Sequence, residues 1–550
     1  MVKYLGLIAL FCVACGSGIQ VRTPRPTCAA LTGTSWSPSV PGTGASNHNV
    51  TTTTLARSIQ TLTARVVGGS DLPTGSNLTT MTFTIGDLGV SGSFSLQALV
   101  TNPESTDFPP YPILASLVDP NGKDWVNLKS ACTSSGIYTC SSSSGCTPNT
   151  SCGPDTTSAL GTAYASRSHW LQAQVPVFGA TTLNIFPTCN WVAGTPSCAF
   201  NSIPFFSSSK LPQGTYTAKY YVVDPTKVTH STSAPLNVTL STKTDNVALG
   251  GGHVAAIDLN VILVGNKIIN ASRTARGTLN LNILFEQVRQ QYVQANSNVK
   301  IGTITAYEWT CETGGDEYAS VSLFDLGDAY KIGSSLIPQV NAGTSVNVFL
   351  LSRISYGSDD SVTILGLAGG LPGPQVYGVP GAGVGIATFD MLDTYNPSCM
   401  LVTCSGSSLD NNFVTMASTI SHEVGHYLGL NHPQESSAST NNSSTSIGMD
   451  AIADTPLCTL TSVSGKTGFY TTNASCRTDG TLAGLTASGC NAACPGYNGT
   501  TTFCAAANTC QFNHIMWYTT QNRSQSTGNG DGTIFSANTG VIINANPAIF

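Results

Sequence analysis

Charge is scarce in this chain: only 9% of its 550 residues are Asp, Glu, Lys or Arg, and the formal net charge is −6. There is no basic run, so the electrostatic footprint of a nucleic-acid or anionic-lipid partner is missing, and neither partner is expected. No apolar stretch past the first residues approaches 18 uninterrupted positions, so no membrane-spanning helix is expected. The chain has no Gly-x-Ser-x-Gly elbow and no GxxxxGK(S/T) phosphate loop, which removes two common catalytic signatures. Intrinsic disorder is excluded from the other side, because 41% of the residues are hydrophobic and the net charge is small. Histidine is rare as well, with eight in all.

What is abundant is glycine, at 55, together with Ser, Thr and Asn, and there are 18 cysteines. This composition suits a β-rich, turn-rich extracellular protein, and the length allows two to four domains. The first residues read as an export signal over 1–15. Lys3 is a minimal positive region, Leu5 to Val13 is a short apolar core, and Cys12-Val13-Ala14-Cys15-Gly16-Ser17 follows. A small residue before a cysteine, then Gly-Ser, resembles a bacterial lipoprotein cleavage site with Cys15 as the lipidated residue. An ordinary signal peptide cut a few residues later is the other reading. The expected location is extracellular or at the cell surface, on the outer membrane if Cys15 is lipidated. A lipid on Cys15 would be the only membrane attachment. With Cys12 in the signal and Cys15 lipidated, an even number of cysteines is left, most simply paired as disulfides. They cluster at Cys132, Cys140, Cys146 and Cys152, and at Cys458, Cys476, Cys490, Cys494, Cys504 and Cys510. Neither cluster holds a CxxC, so a structural zinc knuckle is not expected, and the pairing cannot be read from spacing.

Residues 16–49 are rich in Pro, Gly, Ser and Thr and read as a linker. Residues 50–246 carry strand-like alternation at 81–85, 92–96, 214–223 and 236–240, so an all-β, sandwich-like domain is expected there. Past Gly250-Gly251-Gly252 the pattern changes. Strands are expected over 253–264, 299–309, 345–354 and 384–389, and a helix over 280–294 with Leu281, Ile283, Leu284, Val288 and Tyr292 as its apolar stripe. That order is α/β (or α+β) and defines a second domain over 250–550.

Three of the eight histidines fall in His422-Glu423-Val424-Gly425-His426-Tyr427-Leu428-Gly429-Leu430-Asn431-His432. On a helix, positions i and i+4 share a face, so His422 and His426 project side by side and can bind one Zn2+. Glu423 lies one step round, placed to take a proton from an attacking water. Gly429 permits a left-handed turn that ends the helix, after which His432 can supply a third nitrogen. Three protein ligands leave one coordination position open, the catalytic arrangement. Phe413, Ala417, Ile420, Val424 and Leu428 recur at helical spacing and mark a buried stripe.

The window matches HExxHxxGxxH at every specified position and resembles the zinc signature of the metzincin metallopeptidases. Within them it is most similar to the pappalysin-like family. His-Glu-Val-Gly-His-Tyr-Leu-Gly-Leu, Asp454-Thr455-Pro456 and the Gly-rich stretch Gly366-Leu367-Ala368-Gly369-Gly370-Leu371-Pro372 carry that resemblance. It implies a metzincin-like catalytic domain: a twisted sheet, a backing helix, an active-site helix, and a substrate cleft between sheet and helix. It also implies a methionine turn at His514-Ile515-Met516-Trp517-Tyr518, with Met516 beneath the metal and Tyr518 as a hydrogen-bond donor to the oxyanion. His514 stands where Asn or Ser is commoner, and reads as a structural histidine or an extra site residue. Asp450, Asp454 and the loop Asn529-Gly530-Asp531-Gly532 are candidate Ca2+ ligands in a region where related enzymes bind calcium, although none has EF-hand spacing. The implied activity is an exported zinc metalloendopeptidase acting on protein or peptide substrates. Two alternatives stand beside it: an inactive surface binding protein or adhesin on the same fold, and an enzyme for which the β-rich region is a propeptide.

Overall fold

The computed structural model describes residues 31–36, 53–89, 92–101, 110–141, 145–149, 151–152, 180–186, 202–204, 211–246, 255–265, 275–294, 299–309, 318–323, 325–338, 345–356, 359–370, 372–374, 376–388, 408–430, 543 and 546. The elements begin with β1 (Gly33–Trp36), β2 (Thr53–Gly68), β3 (Leu78–Ile85), β4 (Ser93–Val100), β5 (Tyr111–Val118), α1 (Ser130–Ser135), β6 (Tyr138–Ser141) and β7 (Gly145–Pro148). Next come β8 (Ala180–Phe186), β9 (Ser202–Pro204), β10 (Gly214–Asp224) and β11 (Ser231–Asp245). Beyond the glycine triplet lie β12 (Ala255–Val264), α2 (Ala275–Gln294), β13 (Val299–Trp309), β14 (Ser320–Ser322), α3 (Leu326–Ser335), β15 (Ser345–Leu351) and β16 (Arg353–Tyr356). The described elements finish with β17 (Asp359–Thr363), β18 (Gly366–Ala368), β19 (Val384–Ala387) and α4 (Ser408–Tyr427). The architecture is mixed α/β. Among the described residues, no helix is long and apolar enough to cross a membrane.

The first sheet runs β3-β10-β2-β11-β4-β8-β9, with β5 also paired to β10. β2 and β11 pair in register along 53–67, which makes them its spine. The sheet folds over one core. Phe83 of β3 and Tyr216 of β10 meet Phe94 of β4 edge-on, with ring centroids 5.8 and 5.3 Å apart, and Trp125 closes on Tyr216 at 6.2 Å. Such edge-to-face pairs add roughly 0.5–1.5 kcal/mol beyond area burial. Asp119 anchors the Trp125 indole through Nε1–H to Oδ2 at 3.0 Å. The region is not purely β, since the short helix α1 carries the buried Cys132. Disulfides join Cys132 to Cys152 and Cys140 to Cys146.

The second sheet runs β1-β13-β12-β15-β19-β18. Its four inner strands are parallel, and both edge strands are antiparallel to their neighbours. Parallel neighbours need a crossover, and α2 supplies the one between β12 and β13. Strand periodicity then divides β12 between two cores. Ile257, Leu259, Val261 and Leu263 face α2 and α4. Ile262 and Val264 face Trp309, Tyr330 and Phe349 on the side of α3. With both faces covered, every residue of β15 is buried, as a parallel inner strand requires. The stripe read for α2 is present at Leu281, Leu284, Val288 and Tyr292. Phe285 joins it fully buried, and Ile283 packs at its border.

Four residues of the stretch read as a linker form β1. Gly33–Trp36 pair with Tyr307–Ile304 of β13, and the amide of Leu31 donates to the Leu336 carbonyl at 2.9 Å. The second sheet is therefore completed by chain that precedes the first one. A methyl on Gly33 would lie 2.6 Å from Tyr307 Cε1 and 2.7 Å from Thr305 Cγ2, so any larger residue must displace those side chains for the strand to seat.

Candidate metal centre

From Met416 onward α4 is buried almost all round. Met416, Ala417, Ile420, Val424, Tyr427 and Leu428 enter the core shared by α2 and the sheet. Fully burying a Met, Ile, Val or Leu side chain stabilises by about 1.5–3 kcal/mol each. Polar groups lock the two helices in register. Gln291 of α2 donates to Ser418 Oγ at 2.8 Å and accepts from Ser421 Oγ at 2.8 Å, all three residues being buried.

That packing fixes which side chains turn toward the remaining face. His422 and His426 stand on consecutive turns with ring centroids 4.6 Å apart and planes at 89°. His422 and Glu423 are 9% and 8% exposed, so their polar atoms work in a largely water-excluded setting. His426 Nδ1 lies 2.7 Å from the Leu430 carbonyl oxygen. A carbonyl only accepts, so Nδ1 carries the proton and the neutral ring keeps a lone pair on Nε2. This is the backbone contact by which proteins orient a metal-binding imidazole.

The contact depends on how the helix ends. Gly429 has φ +105°. The Leu430 amide donates to the Gly425 carbonyl at 2.9 Å, and the Gly429 amide to that of His426 at 2.9 Å. These bonds form a Schellman cap, with glycine at the left-handed position. The turn that stops the helix thus carries the Leu430 carbonyl back onto His426. The next two orphan carbonyls also find donors: the Gly373 amide bonds that of Tyr427 at 2.8 Å, and Asn546 Nδ2 bonds that of Leu428 at 3.0 Å. The Tyr427 hydroxyl donates to the Pro374 carbonyl, and burial, then Tyr377, raises its pKa above the ordinary phenol range.

β18 lies across the Glu423 side of the helix. A methyl on Gly366 would stand 2.7 Å from Glu423 Cγ and 2.8 Å from Thr419 Cγ2. Beneath this strand, the Tyr330 hydroxyl donates to the Leu367 carbonyl at 2.6 Å. Burial holds that phenol protonated, and the nearby Glu423 charge acts in the same direction.

Of the residues singled out in the sequence, His422, Glu423 and His426 come together. His432, Met516, Tyr518, His514, Cys15, Asp450, Asp454, the 529–532 loop and the second cysteine cluster lie outside the described residues. Among the described residues, no three His, Cys, Asp or Glu side chains surround one point. Two adjacent imidazoles, one with its Nδ1 held by a backbone acceptor, fit a borderline divalent ion such as Zn2+, and His432 would be the third donor. Sequence reasoning missed Gln291, Gly373 and Asn546. Gln291 could have been found as a polar residue beside an apolar helical stripe, and Gly373 as the end of the Gly-rich run, but Asn546 carries no local signal. Neither a protein-family model nor a curated protein matches the chain.

Proposed function

We propose that the chain is an exported, zinc-dependent endopeptidase with a metzincin-like catalytic domain, similar to the pappalysin-like family. The observation that carries this reading is the pairing of His422 and His426 on one buried helix, with Nδ1 of His426 bound to Leu430 and Glu423 between them. The parallel sheet, the helix α2 packed on it and the later helix α4 follow the order expected for such a domain. Zn2+ held by His422, His426 and His432 would supply Lewis acidity toward the scissile carbonyl.

The protein's own groups then have these tasks. Glu423 accepts the proton of the attacking water and returns it to the leaving amine, a role worth roughly 10²–10⁴ in rate. Its burial keeps bulk water from competing with that transfer. Leu430 holds the His426 ring in one tautomer. Tyr518 is proposed as the oxyanion donor and Met516 as the floor beneath the imidazoles. The two Asp positions and the 529–532 loop are proposed as Ca2+ ligands, and Cys15 as the lipid anchor.

The deciding experiment is Glu423→Ala in the full chain. Stoichiometric zinc with hydrolysis of a peptide library lost supports the reading, and undiminished cleavage removes it. A zinc-loaded wild type that cleaves nothing would favour a surface-binding role instead.

A further inference from the structure

We infer that Gly366 is a positioning residue for Glu423: its missing side chain is the space in which the carboxylate is held. The inference rests on the peptidase reading for its consequence, but the contact itself does not. A methyl at residue 366 would meet Glu423 Cγ at 2.7 Å, Glu423 Oε1 at 3.1 Å and Thr419 Cγ2 at 2.8 Å. The first and third distances are shorter than carbon atoms tolerate without movement, so one partner must shift.

The strand is the partner that cannot shift. Gly366 pairs with Ile386 of β19. The Ala387 amide donates to the Leu365 carbonyl at 2.9 Å, and the Tyr330 hydroxyl to the Leu367 carbonyl at 2.6 Å. Hydrogen bonds to their carbonyls therefore hold the residues on either side of Gly366. The helix cannot shift either, since its opposite side is clasped by Gln291 through Ser418 and Ser421. What can turn is the Glu423 side chain, about its own χ angles. Gly366 thus leaves room for the rotamer that sets Glu423 Cγ and Oε1 over its own Cα, and a methyl there would turn the carboxylate away. A displacement of about 1 Å at a catalytic group can cost on the order of 100-fold in rate.

Gly366→Ala should leave zinc content and KM unchanged while kcat falls at least tenfold. Its melting temperature should drop, and that drop should shrink clearly when Glu423→Ala is present in the same chain, because the clashing Glu423 atoms are then gone and only the Thr419 methyl still obstructs. Gly366→Ala combined with Thr419→Ser removes the second obstructing methyl and keeps the fold testable should the single variant be poorly soluble. The same melting-temperature loss with and without the Glu423 side chain would overturn the inference, as would full kcat in the zinc-loaded Gly366→Ala protein. A wild type that holds zinc but hydrolyses nothing would instead sink the peptidase reading, and the thermal cycle would still report on the contact.

Discussion

The side-chain amide of Asn546 donates to the backbone carbonyl of Leu428, 118 residues earlier, at 3.0 Å. Both residues are buried, so no water can replace the bond. Asn546→Ala should therefore destabilise the second core by about 1–3 kcal/mol, the cost of a buried acceptor left alone. Urea denaturation followed by the fluorescence of the Trp309 region would show it, and an unchanged midpoint would refute it.

Gln291 joins Ser418 and Ser421 through both ends of its amide. Gln291→Leu keeps the volume but leaves two buried hydroxyls without their partner. A loss of about 2 kcal/mol is expected. The triple change Gln291→Leu, Ser418→Ala and Ser421→Ala should recover most of it, since removing all the polar groups together leaves none unsatisfied. Failure of that recovery would mean that the clasp sets helix register rather than merely satisfying hydrogen bonds.

Gly33→Val places a branched side chain where a single methyl already lies 2.6 Å from the Tyr307 ring. β1 should detach, exposing the edge of β13. Open edges recruit other strands. Size-exclusion chromatography should show concentration-dependent association of the variant and not of the parent, and a strictly monomeric variant would contradict the role given to β1.

Lys243 and Asp245 are both buried on β11. Burial pulls the Lys243 pKa down to about 8, against a smaller opposing pull from Asp245. Between pH 8 and about 10 the unfolded chain keeps a proton on this amine that the folded chain has lost, so stability rises with pH in that window. The rise ends when unfolded phenols ionise near pH 10, because burial keeps Tyr216, Tyr220 and Tyr221 protonated in the fold. The urea midpoint of the wild type should climb from pH 8 to 9.5, and Lys243→Met should flatten the curve. A falling wild-type curve would refute the assignment.

The parts of the fold legible in the sequence were those whose apolar residues keep a clean period. Alternation at Ile257, Leu259, Val261 and Leu263 marked β12, and three- and four-residue steps marked α2 and α4. α3 was missed because its ten residues include Gly327 and Gly333, which weaken any helical signal. β1 was missed because four residues in a Pro- and Gly-rich setting have no pattern of their own; only the distant Tyr307 gives Gly33 its meaning. At the candidate centre, the grouping of His422, Glu423 and His426 was legible because they stand on consecutive turns of one helix. Support from Leu430, Gly366 and Asn546 acts through backbone carbonyls and empty space, which leave little trace in a string of side chains.

The placement of β1 also orders events during synthesis. Gly33 leaves the ribosome before any of β2–β11, yet its register partner Tyr307 does not exist until that whole sheet has been made. The early strand must therefore wait unpaired while the intervening sheet forms, and contacts of such long sequence separation are the slow ones to close. Cutting the chain anywhere between residues 37 and 52 would turn β1 into a separate peptide, retained or lost according to its four register pairs, the Leu31–Leu336 hydrogen bond and the packing of Leu31.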